Sequence, residues 1–260
     1  MNHLDYYQFQ AQARGVHSLE DVQRVAGEKS YVFDRLVRPW LSKNTALPVA
    51  ELACGHGSFL HWLKDRSYTN VTGVDSSSEQ IQLARQTGVT VEQDDANGWL
   101  ARQPKNHFAS IVAIDLVEHL PKDDFMELLH LAQRALLPQG SLILRLPNGD
   151  SPFVGMNLFN DITHVWTYTP NALNSLAQMH GFAGTQFADE GAEAIRDHRW
   201  LKVPLARAGG LLLRAMVRIV TREKIHFWSP HLWACLQKSA LPTAECAGRT
   251  DAPAIAKPRT

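Results

Sequence analysis

Two carboxylates stand near the ends of two successive apolar runs, and a turn of small residues lies between them. Glu51 lies in the first run, which opens into the turn Ala53-Cys54-Gly55-His56-Gly57. After a helical pattern, the second run, 71–74, ends at Asp75. A parallel α/β sheet presents a turn and a carboxylate to a nucleoside ligand in this way. The spacing therefore predicts a nucleoside-binding site.

The turn distinguishes between two classes of nucleoside ligand. A dinucleotide site would favour a third glycine where Leu60 stands, and Glu51 would repel a pyrophosphate. S-adenosylmethionine carries an ammonium and a sulfonium but no phosphate, so an acidic turn suits it. The pattern Glu51-x-Ala53-x-Gly55-x-Gly57 resembles the first motif of class I S-adenosylmethionine-dependent methyltransferases, D/E-x-G-x-G-x-G, with Ala53 in place of the first glycine.

Alternating apolar runs and helical patterns surround this turn. Ser18 is placed to cap a helix over 18–43, and the run 108–115 is almost continuously apolar, as in a strand buried on both faces. The pattern predicts an α/β protein with a Rossmann-like, doubly wound sheet. The family resemblance implies seven strands, mostly parallel, with an antiparallel last strand. The predicted strands are 49–53, 71–75, 89–93, 108–115, 141–146, 182–188 and 226–236, and the other predicted helices are 57–65, 76–86, 122–136 and 171–180.

Right-handed crossovers place the carboxyl ends of the parallel strands at one edge of the sheet. Five polar residues should therefore gather there: Glu51, Asp75, Asp95, Asp115 and Asn148. This convergence predicts the position of the ligand.

The methyltransferase resemblance continues through the chain and implies roles for single residues. The Asp75 carboxylate matches the acid that binds the ribose hydroxyls. Asp95-Ala96 matches the adenine site, with Asp94 as the alternative acid if the register differs by one residue. Segment 108–120 resembles the family's fourth strand with its Glu-His-Leu ending, and 137–140 resembles its L-x-P-G-G turn. The implied cofactor-binding set is Glu51, Ala53, Gly55, Gly57, Asp75, Ser76, Asp95, Ala96 and Asp115.

A polar and aromatic segment follows the fifth predicted strand. Residues 161–170 carry the pattern D-x-T-H…Y-T-P. A similar pattern occurs in methyltransferases encoded among bacterial surface-polysaccharide genes, including those for lipopolysaccharide. This resemblance implies O-methylation of a sugar hydroxyl, on a surface glycan or its lipid-linked precursor.

A sugar hydroxyl is a weak nucleophile near neutral pH, so a general base assists its methylation. His164 is the first candidate base, with Asp161 orienting it or binding a sugar hydroxyl, and His119 is the second. The same side chains could instead hold the loop together. No metal site is predicted, although Asp115, Asp161 and His164 offer suitable ligand types for a divalent cation. Three candidates for substrate binding remain: Asn148, Trp166 and Tyr168.

Segment 196–224 carries many basic residues beside leucine, methionine and valine. A basic amphipathic helix inserted there, with 205–222 as its contact surface, would suit an anionic membrane, a homodimer contact or packing against the domain. The predicted organisation is an N-terminal helical lid over 1–48, which includes Tyr6 and Tyr7, a methyltransferase domain over 49–240, and a disordered tail over 241–260.

Composition limits the partners. Lys and Arg together number 26, as do Asp and Glu, which argues against broad binding of nucleic acid. Three cysteines are too few and too scattered for a disulfide framework or a zinc site. Without an evident signal peptide or membrane-spanning run, we expect a cytoplasmic protein, peripheral at the inner face of the membrane if the basic helix binds lipid.

Two rival functions remain open at this point. The first is methylation of a small hydrophobic or carboxylate metabolite. The second belongs to another class, a non-catalytic S-adenosylmethionine-binding scaffold in a biosynthetic complex.

Overall fold

A mixed seven-stranded sheet forms the centre of the computed structural model, which describes residues 15–190 and 202–240. The strand order is β3-β2-β1-β4-β5-β7-β6. The strands are β1 (Val49–Leu52), β2 (Val71–Asp75), β3 (Thr90–Gln93), β4 (Phe108–Ile114), β5 (Leu136–Pro147), β6 (Phe182–Asp189) and β7 (His231–Lys238).

Strands β1 to β5 pair in parallel, and β7 runs antiparallel to both β5 and β6. The prediction of a Rossmann-like sheet with an antiparallel last strand is therefore confirmed. Strand β7 lies between β5 and β6, so that β6 forms the edge. It begins at His231, five residues later than predicted, because Pro230 lacks an amide hydrogen and the residues before it bond to neighbouring loops.

Helices cover the faces of the sheet and connect its strands. Two of them, α4 and α6, were not predicted from the sequence. The helices are α1 (Leu19–Val32), α2 (Ser58–Asp65), α3 (Ser78–Arg85), α4 (Ala96–Arg102), α5 (Lys122–Ala135), α6 (Val154–Leu158), α7 (Pro170–Met179) and α8 (Lys202–Thr221).

The first helix begins where its cap predicts. The Ser18 hydroxyl accepts a hydrogen bond from the amide of Asp21. The helix is shorter than the predicted 18–43, because the chain continues as a π-helical turn over Phe33–Val37 and a 3₁₀ turn over Arg38–Trp40. Pro39 cannot donate within an α-helix, which explains the change of geometry before it.

The apolar core lies on both faces of the sheet. On one face, α5 buries Phe125, Leu128 and Leu129 against β4 and β5. On the other, the rings of Phe33 and Phe59 pack edge to face with centroids 5.0 Å apart. The sheet is thus held between two apolar layers, which fixes the loops at its carboxyl edge.

Helix α8 falls within the predicted basic insertion. Its Gly210 lies against the indole of Trp228, where a Cβ would come within 2.5 Å of Nε1. Within the described ranges, no helix is both long and apolar enough to cross a membrane. The predicted lid tyrosines and the predicted tail lie outside the described residues.

Candidate active site

A cavity of about 920 Å³ opens at the carboxyl edge of the parallel strands. This size is typical of a small-molecule site. It brings together most of the predicted site residues, and those on its wall are Glu51, Ala53, Gly55, Asp75, Ser76, Asp95, Ala96, Asp115, His119, Asp161 and His164.

The turn between β1 and α2 has left-handed backbone at alternating positions. The φ angles are 52° at Ala53, 52° at Gly55 and 85° at Gly57. Gly57 is not on the cavity wall. A Cβ there would come within 3.0 Å of the Ala84 backbone, so this glycine lets α2 approach α3. The motif spacing thus reflects the backbone path of the turn.

Ala53 and Gly55 share the same φ and allow a matched stability test. Ala53→Gly should raise the free energy of unfolding by up to about 1 kcal/mol, because left-handed backbone strains a residue with a Cβ. Gly55→Ala should lower it by about 1 kcal/mol, since its Cβ would have room but the same strained φ. Urea unfolding measures both. Changes of the same sign would contradict this account of the turn.

Glu51 is a buried carboxylate that lacks a full set of partners. Its side chain is 3% exposed, and Oε2 accepts no hydrogen bond. Burial raises the pKa of Glu51 well above its usual value, the Asp75 charge raises it further, and Lys29 opposes the shift. A ligand ammonium beside Glu51 would supply the missing partner.

Asp75 is held at the end of β2 by two main-chain donors. Gly55 donates to one carboxylate oxygen and Ser77 to the other, each at 2.8 Å. Burial raises the pKa of Asp75, and these two bonds oppose the shift. Each oxygen keeps acceptor capacity, so the carboxylate can accept from two vicinal hydroxyls.

Asp95 begins the unpredicted helix α4. Its Oδ1 accepts the Gly98 amide at 2.7 Å, as an N-cap does. Asp94 accepts the Asp95 amide at 2.9 Å and pairs with Arg102. Because its neighbour is engaged in an ion pair, Asp95 remains the better candidate for an adenine contact.

Asp115 belongs to an ion-pair network that the sequence analysis missed. Arg145 pairs with Asp115 and donates twice to the Glu190 carboxylate, at 2.8 Å each. Burial would raise the pKa values of both acids, but Arg145 holds them below their ordinary values. The sequence does contain one sign of this network, because Arg145 interrupts the apolar run of β5. Asp115 is thus engaged by an internal cation.

Hydrogen bonds link the side chains of Asp161, Thr163 and His119. The Asp161 carboxylate accepts from the Thr163 hydroxyl at 2.6 Å, and that oxygen lies 2.9 Å from His119 Nδ1. Because the single hydroxyl hydrogen goes to Asp161, His119 Nδ1 is the donor to the Thr163 hydroxyl oxygen. The hydrogen bonds thus connect Asp161 to His119, whereas the prediction paired it with His164.

His164 lies beside His119, with ring centroids 4.6 Å apart. Its Nδ1 lies 2.9 Å from the carbonyl oxygen of Asn157, so Nδ1 is the donor and Nε2 carries the lone pair. Burial, followed by the nearby His164, lowers the pKa of His119 to about 4. The His119 ring is therefore neutral at neutral pH.

Glu118 joins the two histidines on the cavity wall. It is 2% exposed, and its Oε2 accepts no hydrogen bond. Burial, with Asp115 nearby, raises the pKa of Glu118 well above its usual value. One nitrogen from each ring and one Glu118 oxygen lie within 4.8 Å of one another. Glu118 is thus a site residue that was not predicted from the sequence, although it belongs to the Glu-His-Leu pattern after β4.

The three predicted substrate-binding residues lie away from the cavity wall. Asn148 is fully buried and donates to the carbonyls of Phe227 and Ser229 at 3.0 Å each. Tyr168 packs in the core, and Trp166 lies beneath Lys122 Nζ at 3.7 Å. Each has a structural contact that explains its position. Polar residues of the neighbouring segment line the wall instead, including Asn157 and Asn160.

The strand order and the cavity at the carboxyl edge are those of the Rossmann-like methyltransferase fold. A family model described as "Methyltransferase domain" matches residues 24–186, which is more than half of the chain. The chain therefore belongs to the methyltransferase domain family. No curated protein matches the sequence.

Solved structures share this fold at low sequence identity. A SAM-dependent methyltransferase from Archaeoglobus fulgidus has a TM-score of 0.65 at 21% identity, covering 90% of this chain and 99% of its own. Haemonchus contortus phosphoethanolamine N-methyltransferase 2 with S-adenosyl-L-methionine has a TM-score of 0.59 at 13% identity, and the match covers 92% of this chain and 60% of that one. Magnesium protoporphyrin IX methyltransferase from Synechocystis PCC 6803 with bound SAH has a TM-score of 0.55 at 14% identity, and the match covers 90% of this chain and 97% of that one.

The donor set of the cavity fits the cofactor of this family. The partnerless oxygen of Glu51 suits an ammonium, and the anchored Asp75 suits a diol. The prediction of S-adenosylmethionine as the cofactor is confirmed.

Proposed function

We propose that this protein methylates a sugar hydroxyl on a bacterial surface glycan or its lipid-linked precursor. The observation that carries the proposal is the cluster of Glu118, His119 and His164 on the wall of the acidic cofactor cavity. The cluster combines two segments, the Glu-His-Leu turn after β4 and the D-x-T-H loop. The resemblance to polysaccharide methyltransferases rests on that loop.

The cofactor-binding part of the cavity assigns one role to each acid. Glu51 would bind the ammonium, Asp75 the ribose hydroxyls, and Asp95 with the Ala96 amide the adenine. Bound S-adenosylmethionine supplies an electrophilic methyl group on a sulfonium that leaves as a neutral thioether. The protein's main task is then to position the acceptor and exclude water.

The acceptor hydroxyl must lose its proton as its oxygen becomes bonded to the methyl carbon. His119 and His164 both line the cavity, and their Nδ1 atoms are fixed by Thr163 and by the Asn157 carbonyl. Such fixed orientation favours a role in activating the hydroxyl. The cluster therefore supplies what a weak nucleophile requires.

The variant His164→Ala should leave S-adenosylmethionine affinity unchanged and reduce turnover by about 10²-fold or more. Calorimetry measures the affinity, and transfer of a labelled methyl group measures turnover. His130→Ala is the matched control, since His130 lies exposed on α5 away from the cavity wall. Full turnover of His164→Ala across pH would remove His164 from the acceptor site.

Exposed apolar side chains surround the acceptor loop. Met156, Phe159 and Ile162 are 70%, 83% and 87% exposed. The polar residues between them, Asn157 and Asn160, line the cavity. An apolar rim at the acceptor side suits a substrate delivered from a lipid surface.

Helix α8 adds a second exposed apolar surface. The side chains of Leu205, Leu212, Met216 and Ile219 recur at helical spacing and are each more than half exposed. Arg207, Arg214 and Arg218 lie on the opposite face of the helix, and Arg222 follows its last residue. An apolar stripe on one face with basic residues on the polar face is typical of a helix that lies on an anionic lipid surface. We take this surface as the site of peripheral membrane contact.

The double variant Leu212→Glu/Ile219→Glu should reduce co-sedimentation with phosphatidylglycerol vesicles several-fold, because it places carboxylates on the lipid-facing stripe. The control Gln82→Glu/Gln86→Glu adds the same charge at exposed positions on and just after α3. Equal sedimentation of the wild type and the first variant would exclude α8 as the lipid contact.

A further inference from the structure

We propose that Glu118, His119 and His164 form a binding site for a divalent transition-metal ion. No metal site was predicted from the sequence. The alternative considered there, Asp115 with Asp161 and His164, is not assembled, because Asp115 pairs with Arg145 and Asp161 accepts from Thr163.

The spacing of the three residues is the first observation. Their potential ligand atoms, a nitrogen from each ring and a carboxylate oxygen, all lie within 4.8 Å of one another. Ligands at about 2.0–2.2 Å from one ion lie at most about 4.4 Å apart. Small side-chain rotations would therefore bring the three atoms into one coordination sphere.

The orientation of the two imidazoles is the second observation. His119 Nδ1 donates to Thr163, which is itself held by Asp161, and His164 Nδ1 donates to the Asn157 carbonyl. Histidines that bind metals usually donate their other ring N–H to such a carbonyl or carboxylate-linked acceptor. Both imidazoles are thus oriented in the way that ligating histidines usually are.

The third observation is the buried carboxylate of Glu118. The residue is 2% exposed, and Oε2 accepts no hydrogen bond although it is removed from solvent. Leaving such an oxygen without a partner is unfavourable. A cation among these three side chains would provide its partner.

The donor set limits the metal. Two imidazoles and one carboxylate favour ions such as Mn²⁺, Co²⁺ or Zn²⁺ over Ca²⁺ and Mg²⁺, which prefer oxygen ligands. Three protein ligands leave coordination positions open toward the cavity.

The role of the ion, unlike the site itself, rests on the proposed function. A hydroxyl bound to the ion has a lowered pKa and releases its proton to water. Its oxygen electron pair then forms the bond to the methyl carbon, while the pair of the broken carbon–sulfur bond stays on sulfur. With the ion bound, the histidines would activate the hydroxyl as ligands of the ion, in place of the general-base role that they would have without it.

Direct metal binding tests the site without an acceptor. Protein treated with a chelator is titrated with Mn²⁺, and electron paramagnetic resonance measures the free ion. We expect one saturable site, and a loss of affinity of at least about tenfold in Glu118→Gln and in His164→Ala. Asp124→Asn, at another cavity-lining carboxylate, is the control and should bind Mn²⁺ as the wild type does.

Circular dichroism and S-adenosylmethionine affinity establish that each variant is folded. Absence of saturable Mn²⁺ binding in folded wild type would overturn the proposal, as would wild-type affinity in both ligand variants. Because binding is measured without methyl transfer, the site can stand even if no glycan is methylated. Conversely, methylation that persists undiminished in chelator would overturn the role of the ion in activating the hydroxyl.

Discussion

Replacing Arg145 with methionine is expected to lower the free energy of unfolding by about 3–5 kcal/mol. The guanidinium is 14% exposed and pairs with both Asp115 and Glu190. Its removal leaves the Asp115 and Glu190 carboxylates, 34% and 14% exposed, without the guanidinium, and the Trp233 indole N–H that donates to Glu190 carries no charge to replace it. Urea unfolding at neutral pH measures the difference between variant and wild type.

The pH dependence of this variant tests the same cause. Arg145 lowers the pKa of Glu190 against the opposing effect of burial. Stability from a lowered pKa is present above the unfolded-state pKa and is lost as pH falls through the folded-state pKa. The difference between Arg145→Met and wild type should therefore shrink in acid.

Arg102→Met provides the matched control, because Arg102 pairs with Asp94 at an exposed site. We expect Arg102→Met to lower the free energy of unfolding by no more than about 1 kcal/mol, because it removes only a surface ion pair. Equal effects of the two substitutions at neutral pH would contradict the stabilising role given to the buried network.

Asp75→Ala is expected to weaken S-adenosylmethionine binding by about 100-fold or more. Each charge-assisted hydrogen bond to a ribose hydroxyl contributes about 1.5–3 kcal/mol, and about 1.4 kcal/mol corresponds to tenfold in affinity. The variant also releases the amides of Gly55 and Ser77, which shape the turn. Calorimetry with S-adenosylmethionine and S-adenosylhomocysteine measures the loss.

Two further variants separate these contributions. Asp75→Asn keeps an acceptor oxygen without the charge, so its loss of affinity should be intermediate. Asp124→Asn lies on the same cavity wall outside the proposed cofactor set and should bind as the wild type does. Unchanged affinity of Asp75→Ala would remove Asp75 from the cofactor site.

The part of the fold that lines the proposed cofactor site could be predicted, because the sequence patterns that determine it are local. A glycine-containing turn, a capping serine at 18 and apolar runs ending in acids each determine structure within a few residues. Parallel pairing then necessarily brought Glu51, Asp75 and Asp115 to one edge. The start of β7 was misplaced because it depends on Pro230 and on contacts with distant loops.

The geometry of the proposed acceptor site, around His119 and the loop 161–170, depends on contacts between residues far apart in the chain. Thr163 and His119 are 44 residues apart, so their hydrogen bond and the resulting tautomer could not be derived from spacing. The aromatic pattern around Trp166 and Tyr168 suggested stacking on a sugar, whereas Tyr168 packs against the Phe125 ring with centroids 4.8 Å apart. Pattern alone does not distinguish an aromatic core residue from a ligand platform.

The most direct test of the proposed function is methyl transfer to a purified bacterial lipid-linked glycan fraction, with S-adenosylmethionine labelled on its methyl group. The account predicts that hydrolysis and mass spectrometry recover the label as a methyl ether on a sugar. It also predicts that His164→Ala reduces this product while His130→Ala does not. Label found only on an amine, on a carboxylate ester or on a small metabolite would contradict sugar O-methylation.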